Sequence, residues 1–478
     1  MGKAIRLLAR CAVAAALLPF VAAVLPPAAS SARAADAVDE LIEDRRKAMR
    51  TPAVSVAVVK DGKVVKAKGY GLATVDPPRP ATEKTVYQIG SLTKQFTAVA
   101  VLMLVEEGKV GLDDPIRKHL DGLPAAWDKV TVRHLLSHTS GIFSYTSADK
   151  FTDTPRKVYA PRDLIALAAD KPLNFAPGTD WDYSNTGYVL LGLLIEKASG
   201  GKPYGVFVRE RIFAPLGMKD TGFNDPKAKI AGRAAGYTLK DDKVAVSEPV
   251  DPSQPYAAGA LLSTVVDLAK WDAALGSEKL LKPATWELAW TPVTVNGGEK
   301  RDYGFGWSVD TFRDRKRVHH GGGINGFVSY MTRFPQEKLT VIVLTNSEVS
   351  DPNGIATAVA AAYVPALKPA EVKVVEDSDP ALTKRLRGVV ESLVRGDAKP
   401  EEFTDEMRRR LFPDKVKEVR GVLGSLGPLK AFDLVESAEK DGVRVRVYRA
   451  AFVRAGLRAQ FALAPDGKIA GLLLRPEE

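Results

Sequence analysis

The sequence predicts an α+β protein, with an antiparallel sheet flanked by helices and a second, smaller α+β domain at the C-terminal end. Three observations predict this fold class. A β-hairpin pattern near residue 60 is followed by a long helical block and then by several strand patterns. The connections between these late strands are short, which favours antiparallel pairing. After a polar stretch the helix-then-strand pattern starts again, and 478 residues are too many for one ordinary core.

Residues 1–34 have the features of a signal peptide. Lys3, Arg6 and Arg10 precede an apolar run, and Ala32-Arg33-Ala34 has the small-x-small pattern of a cleavage site. The apolar run is short and contains proline, which argues against a retained membrane anchor. Cys11 is the one cysteine and lies in this segment, so the mature chain would have no disulfide and no thiol nucleophile. We therefore expect export, to the periplasm or the exterior, with no stable membrane span after cleavage.

The distribution of charged residues indicates which classes of binding partner to expect. The formal net charge is +10, and it falls to +6 when the four basic residues of the signal segment are removed. The basic residues are interspersed with acidic ones and lack an aromatic ladder, so nucleic-acid binding is not expected. We expect a small-molecule or peptide substrate, and the sequence identifies no protein partner.

Residues 35–366 form the predicted large domain. It begins with an amphipathic helix over 37–49 and a hairpin in which Asp61-Gly62 separates two alternating segments. Apolar runs after Ser91 and from Tyr188 predict two buried helices, and Thr264 begins a helix with a capping pattern.

Three strands are predicted to follow, over 303–307, 327–331 and 340–344, and then a short helix over 354–363. The hairpin and these late strands are expected to share one sheet with helices on its faces.

A polar stretch, 367–380, is the predicted linker to a small α+β domain over 381–478. An apolar stripe at helical spacing predicts a helix between Leu382 and Val394. Alternating patterns then predict strands, the last two joined by a turn at Asp466-Gly467. This part of the chain contains no histidine or cysteine, so nothing in it indicates catalysis, and the sequence does not predict its role.

Gly90-Ser91-Leu92-Thr93-Lys94 is the first candidate for chemistry. Residues three apart share a helix face, which brings the Ser91 hydroxyl beside the Lys94 amine. The start of a helix also offers free backbone N–H groups and a partial positive charge to a developing anion. This arrangement indicates an activated nucleophile. Alternatively, Ser91 is only a helix N-cap.

Other motifs are ambiguous when each is taken alone. Tyr183 could be a packed tyrosine, Asn185 the N-cap of the next helix, and Gly321-Gly322-Gly323 a turn. His134 and His138 are spaced i, i+4, as in some metal sites. Because no acidic residue lies between them and no third ligand follows, we expect them to make structural hydrogen bonds.

In their order and spacing, three of these motifs resemble the signature elements of the serine β-lactamase and penicillin-binding-protein superfamily. Ser91 and Lys94 match S-x-x-K, Tyr183 and Asn185 match Y-x-N, and His320-Gly321-Gly322 stands where a K-T-G-like triplet is found. The likeness is greatest to the class C β-lactamase and D-alanyl-D-alanine carboxypeptidase branch, and it covers roughly residues 38–363.

The resemblance implies a role for each motif. Ser91 would attack an acyl carbonyl, and Lys94 would accept or relay its proton. A cationic Lys94 would lower the phenol pKa of Tyr183, which would act as general base and then protonate the leaving group. Asn185 would orient Lys94 or the substrate. The backbone N–H groups of Ser91 and Gly323 would form the oxyanion site, with no metal or cofactor.

The triplet departs from the pattern at its first residue. His320 stands in place of a lysine that would hold a substrate carboxylate, and histidine is a weaker, pH-dependent cation. His319 precedes it and could compete, but the spacing to Gly326-Phe327 favours His320. The substitution lowers the efficiency expected on β-lactams.

The predicted activity is that of a secreted serine hydrolase that forms an acyl-enzyme on Ser91. Candidate substrates are D-amino-acid peptides, small esters or amides, and β-lactams. The alternative is a non-catalytic module of the same fold that binds acyl ligands or peptidoglycan.

Overall fold

The computed structural model describes residues 27–149, 151–241, 243–369, 373–440, 443–453 and 456–476. Most of the predicted signal peptide therefore lies outside the described residues, and the first helix begins at Pro27. Within the described ranges no helix has both the length and the apolar character needed to cross a membrane.

The helices follow the sequence pattern closely in the first two thirds of the chain. The predicted helix over 37–49 belongs to a longer one, and those after Ser91, Tyr188 and Thr264 are all present. The α-helices are α1 Pro27–Ala48, α2 Thr93–Glu106, α3 Val132–Leu136, α4 Pro161–Ala169, α5 Asn185–Ala198, α6 Tyr204–Val208, α7 Tyr256–Gly259, α8 Val265–Ala274, α9 Pro283–Ala289, α10 Pro352–Tyr363, α11 Pro380–Arg395, α12 Asp405–Leu411 and α13 Lys415–Ser425.

The strands fall into one large sheet, a C-terminal sheet and several short pairs. In chain order they are β1 Ala53–Lys60, β2 Lys63–Thr74, β3 Arg79–Pro80, β4 Tyr87–Gln88, β5 Gly222–Phe223, β6 Tyr237–Lys240, β7 Lys243–Val246, β8 Leu261–Ser263, β9 Val293–Thr294, β10 Lys300–Arg301, β11 Ser308–Phe312, β12 Arg315–Ile324, β13 Phe327–Phe334, β14 Leu339–Thr345, β15 Leu429–Lys440, β16 Val443–Phe452, β17 Gly456–Leu463 and β18 Ile469–Pro476.

The large sheet joins the N-terminal hairpin to the late strands, as the sequence predicts. Its order is β11-β12-β13-β14-β1-β2-β3, and every neighbouring pair is antiparallel. Strand β1 shows why both faces must be covered. Val54, Val56 and Val58 pack into the core beneath α1 and α10, whereas Ala53 and Ala57 belong to the larger core formed with α2, α5 and α8. The fold is therefore a sheet between two helical layers.

The C-terminal part has its own core. Helix α11 packs its apolar stripe with the sheet β15-β16-β17-β18, in which Leu457, Ala459, Phe461 and Leu463 are all buried on one face. The buried clusters of the large domain include no residue beyond Leu367. A second α+β domain is therefore present, in agreement with the predicted fold class.

One strand prediction near the site is wrong, and one strand there was not predicted. Residues 303–307 form no strand, and Tyr303 makes only an isolated bridge with Ser308, where β11 begins. The His-Gly-Gly triplet lies within strand β12. Glycine has no side chain to pack and weakens a strand interior. Because of the glycine run, the sequence here lacks the alternating pattern from which a strand is predicted.

Candidate active site

Ser91 lies in a single turn of 3₁₀ helix, Gly90–Leu92, that leads directly into α2. The helix cap is Leu92, with no side-chain cap bond, so Ser91 is not an N-cap. Gly90 has φ +49°, and a Cβ there would lie 2.9 Å from the backbone nitrogen of Gly323. This glycine therefore lets the turn that carries the serine lie against strand β12.

Lys94 is fully buried one turn further along, and its amine has three polar neighbours. The Nζ atom lies 3.1 Å from Ser91 Oγ, 2.8 Å from Asn185 Oδ1 and 2.8 Å from the carbonyl oxygen of Ala258. Burial holds the pKa of Lys94 well below its usual value of 10.5, which favours the neutral amine.

The neutral amine has two N–H groups and one lone pair. The oxygens of Asn185 and Ala258 can only accept, so each takes one N–H. The hydroxyl of Ser91 is the one neighbour of the three that can also donate. When Lys94 is neutral, its lone pair can therefore accept the Ser91 hydroxyl proton, which is the arrangement of a base and a nucleophile.

Tyr183 reaches the same serine from the other side of the cleft. Its side chain lines the same cavity as Ser91, and its ring lies 4.8 Å from Lys94 Nζ. Burial raises the pKa of Tyr183 well above 10, and the nearby Ser91 hydroxyl offsets only part of that. The expected lowering of this pKa by a cationic Lys94 is wrong, because burial is the dominant effect on Tyr183 and raises its pKa.

Asn185 is the first residue of α5, so Ser184 and not Asn185 takes the N-cap position. Its Oδ1 accepts from Lys94, and its Nδ2 donates to Thr146 Oγ1 at 3.2 Å. Of the two roles left open for Asn185, orienting Lys94 is the one that these contacts support.

His320 is buried in β12 and does not offer a charge to the cleft. Its Nδ1–H donates to the carbonyl of Gly321 at 2.5 Å, and its Nε2 accepts from the Tyr303 hydroxyl at 2.9 Å. Burial and the nearby Lys94 lower its pKa to about 3. The expectation that His320 acts as a pH-dependent cation near neutrality is therefore wrong. His319 bonds Tyr330 and Asp310 instead.

The glycines of the triplet allow the strand to approach the serine turn. A Cβ on Gly322 would lie 2.1 Å from the carbonyl oxygen of Ile89 and 3.0 Å from the backbone nitrogen of Ser91. Ser329, opposite Gly322 in β13, donates its hydroxyl to the same Ile89 oxygen at 2.8 Å. A Cβ on Gly323 would meet nothing within 4 Å, so the space beside it is open to a ligand.

His138 fixes the segment that carries Tyr183. Its carbonyl accepts from Asp182 N at 3.0 Å, and its Nδ1 accepts from Ser184 N at 3.1 Å. Its ring packs against that of Tyr183, with 4.2 Å between centroids. These contacts confirm the predicted structural hydrogen bonding, but the link to Tyr183 was missed. The i, i+4 spacing of His134 and His138 is typical of some metal sites, but the two residues have separate structural roles here. His134 forms a capping box with Thr131.

Among the described residues, no group of three or more histidine, cysteine, aspartate or glutamate side chains is arranged to hold a metal. The chemistry brought together at the site therefore consists of a hydroxyl, an amine and a phenol around open space.

This geometry agrees with comparisons against known proteins. A family model described as Beta-lactamase matches residues 38–365. The chain belongs to the beta-lactamase family. It therefore lies within the serine β-lactamase and penicillin-binding-protein superfamily, and its fold is that of serine hydrolases.

Named relatives support the same assignment. Penicillin-binding protein 4* of Bacillus subtilis (strain 168) is 33% identical over 309 residues, which is 62% of this chain and 68% of that protein. The octameric penicillin-binding protein homologue from Pyrococcus abyssi superposes with a TM-score of 0.65 at 28% identity, over 91% of this chain and 94% of that one. The D-amino acid amidase from Ochrobactrum anthropi SV3 superposes with a TM-score of 0.60 at 28% identity, over 70% and 97%.

Proposed function

We propose that this protein is an acyl hydrolase that forms a covalent acyl-enzyme on Ser91. The observation that carries the proposal is the fully buried Lys94, whose Nζ lies 3.1 Å from Ser91 Oγ and whose pKa is lowered by that burial. A lysine with a lowered pKa can accept the hydroxyl proton as the oxygen attacks a carbonyl carbon. The substrates proposed are D-amino-acid peptides, small esters or amides, and β-lactams.

In this mechanism the proton lost by Ser91 must reach the leaving group. Tyr183 lies at the same cavity as Ser91 and burial raises its pKa, so its protonated hydroxyl can donate to the leaving group as the carbon–leaving-group bond breaks. Lys94 then restores the Tyr183 proton. In the second step a water attacks the acyl-enzyme, the same groups take its proton, and Ser91 is released with its hydroxyl restored.

The oxyanion site is assigned to the backbone N–H groups of Ser91 and Gly323. The contact between the serine turn and β12 supports this pairing, because it brings the two nitrogens to one side of the nucleophile. Two fixed donors at such a site stabilise a tetrahedral oxyanion by about 3 kcal/mol each.

The test is labelling of the protein with a fluorophosphonate and, separately, with a fluorescent penicillin, followed by mass spectrometry of the modified peptide. We expect an adduct on Ser91 that Ser91→Ala abolishes. No adduct with either probe, together with no ester hydrolysis, would instead support the non-catalytic binding module. Lys94→Ala serves as a second variant, since it should retain the serine but lose most of the labelling rate.

We also propose that the chain is exported, with residues 1–34 as its signal peptide. The basic start, the apolar run and the Ala32-Arg33-Ala34 site support this. N-terminal sequencing of the protein recovered outside the cytoplasm should begin at Ala35.

A further inference from the structure

Two cavities meet at Ser91, and they differ in lining. The first, which we call the acyl cavity, has a volume of about 200 Å³ and is lined by uncharged residues, both apolar ones such as Phe151 and Ile324 and polar ones such as Thr146 and Gln254, together with Gly323. The second, the departure cavity, has a volume of about 380 Å³ and is lined by Trp181, Tyr183, Arg301, Tyr303, Ser308 and His320.

The position of the proton donor indicates which cavity holds the leaving group and which holds the acyl group. This assignment rests on the proposed function. Tyr183 lines the departure cavity and not the acyl cavity. Because the leaving group takes its proton from Tyr183, it must lie on that side. The acyl group then occupies the acyl cavity, beside Gly323 of the oxyanion site.

Among the described residues, the one cation that lines the departure cavity is already shared by two carboxylates. Arg301 and Asp302 are the charged lining residues. The Arg301 guanidinium is paired with Asp180 Oδ1 at 2.7 Å and with Glu299. Both nitrogens of His320 are used within the protein, as described above. An anionic group placed here would compete with Asp180 and Glu299 for that guanidinium and would face Asp302.

We propose that the enzyme acts on amides and esters whose leaving group and acyl group are both uncharged, and that it discriminates against leaving groups that carry a carboxylate. Such a carboxylate would have to compete with Asp180 and Glu299 for Arg301, and the lack of a free partner is a common source of specificity. β-Lactams and peptides with a free C-terminal carboxylate fall on the disfavoured side, because their carboxylate is attached on the leaving-nitrogen side of the scissile bond.

The long-range field of the protein does not explain this preference. The formal net charge is +10 for the full chain and +6 without the signal segment, and either value would attract anions rather than repel them. Selection against a carboxylate must therefore come from the groups that line the cavity.

The experiment compares two thioesters that differ only in leaving-group charge, phenylacetyl-thioglycolamide and phenylacetyl-thioglycolate, by the rate of thiol release. We expect kcat/KM to be at least tenfold higher for the amide. Equal values, or a preference for the carboxylate, would overturn the inference while leaving the hydrolase intact. The inference is also overturned if neither compound is hydrolysed although fluorophosphonate still labels Ser91. If Ser91 is not labelled either, the proposed function fails with it.

A double variant tests whether the pairing of Arg301 causes the discrimination against carboxylate leaving groups. Asp180→Asn with Glu299→Gln frees the guanidinium, and we expect kcat/KM for the carboxylate to rise at least tenfold with little change for the amide. The matched control is Asp128→Asn with Glu337→Gln, which changes net charge equally at two other arginine pairs. An equal rise in both double variants, or no rise in the first, contradicts the assignment.

Discussion

At the scale of single residues, the burial of Lys94 is what suits it to act as a base in the proposed mechanism. A protonated amine could not take the Ser91 proton, and burial removes that obstacle by lowering the pKa of Lys94. The two carbonyl-type oxygens beside it then determine which way the lone pair points. The protonation state and the orientation of this base therefore have separate structural causes.

The first prediction concerns pH. We expect kcat/KM on a neutral ester to fall as pH drops through the lowered pKa of Lys94, since protonation removes the base, and to be level above it. His320, with a pKa of about 3, should add no step near neutrality. The measurement is a profile between about pH 5 and about pH 10. A rate that keeps rising toward 10.5 would show that Lys94 has its ordinary pKa.

The second prediction concerns Tyr183. Tyr183→Phe should lower kcat by roughly 10²- to 10⁴-fold, because the proton donor to the leaving group is lost. The ring contact with His138 is kept, so Tm should stay within a few degrees. Single-turnover kinetics give the acylation rate directly.

Tyr204→Phe is the matched control for Tyr183→Phe. It removes a buried hydroxyl, bonded to Thr97 at 2.8 Å, on a tyrosine that lines neither cavity at Ser91. Equal rates for the two variants would remove Tyr183 from the mechanism.

The identity of the site residues could be read from the sequence, but their charge states could not. Ser91, Lys94, Tyr183 and Asn185 carry the motif, and the structure brings their side chains together. Whether Lys94 or Tyr183 is ionised depends on burial, which comes from residues far away in the chain. Ala258, for example, contacts Lys94 across 164 positions of sequence.

At the scale of elements, the segment leading into α5 and the strand β12 hold the two halves of the site. The third prediction concerns His138, which has φ +60° and holds the backbone on both sides of Tyr183. His138→Ala should lower kcat by roughly 10- to 100-fold with KM within about twofold, because small misplacement of a proton donor is costly.

Rescue separates positioning from general damage. His138→Asn should recover most of the activity, because asparagine tolerates positive φ and offers an oxygen near the place of Nδ1. His134→Ala disturbs the capping box of α3, the short helix that ends just before His138. His134 does not contact Tyr183, so this variant should leave kcat nearly unchanged. Equal losses in all three variants would contradict the positioning role.

The fourth prediction is a matched pair in β12. Gly322→Ala should cost roughly 100-fold in activity, since its Cβ would collide with the Ile89 carbonyl and displace the Ser91 turn from the oxyanion site. Gly321→Ala is the control, because its Cβ would meet Tyr330 at an ordinary 3.5 Å. Circular dichroism checks that both fold. Similar activity in the two variants would show that close approach at Gly322 is not needed.

The hairpin, the buried helices and their shared sheet were predictable because alternating and helical apolar patterns are strong in those segments. Strand β12 was not, because His320-Gly321-Gly322-Gly323 has no apolar alternation. The glycines that allow this strand to lie close to Ser91 also remove the alternating pattern by which a strand could be predicted.

At the scale of the whole molecule, the two domains have separate buried cores. The fifth prediction is that calorimetry of the full chain shows two unfolding transitions, because a separate core can unfold as its own cooperative unit. Covalent labelling of Ser91 should raise only the transition of the large domain, since only that domain contacts the label. A single transition, or equal shifts in both, would show that the domains unfold together.

The number of domains and the restart of the pattern near residue 380 could be predicted from the sequence. The purpose of the C-terminal domain could not, because its side chains present no chemical motif. Its buried Arg446 is paired with Asp377, a residue of the predicted linker, which ties that segment to the C-terminal core.

In the proposed mechanism, the two cavities would also affect the enzyme between its two chemical steps. After the leaving group has diffused away, the acyl group would remain in the acyl cavity, and a space of about 380 Å³ beside Tyr183 would be free. That space is large enough for a molecule much larger than water. An alcohol or an amine bound there would compete with water for the acyl carbonyl carbon, and its attack would form a new ester or amide. The ratio of hydrolysis to acyl transfer would then depend on the size of this space and on the acceptors present.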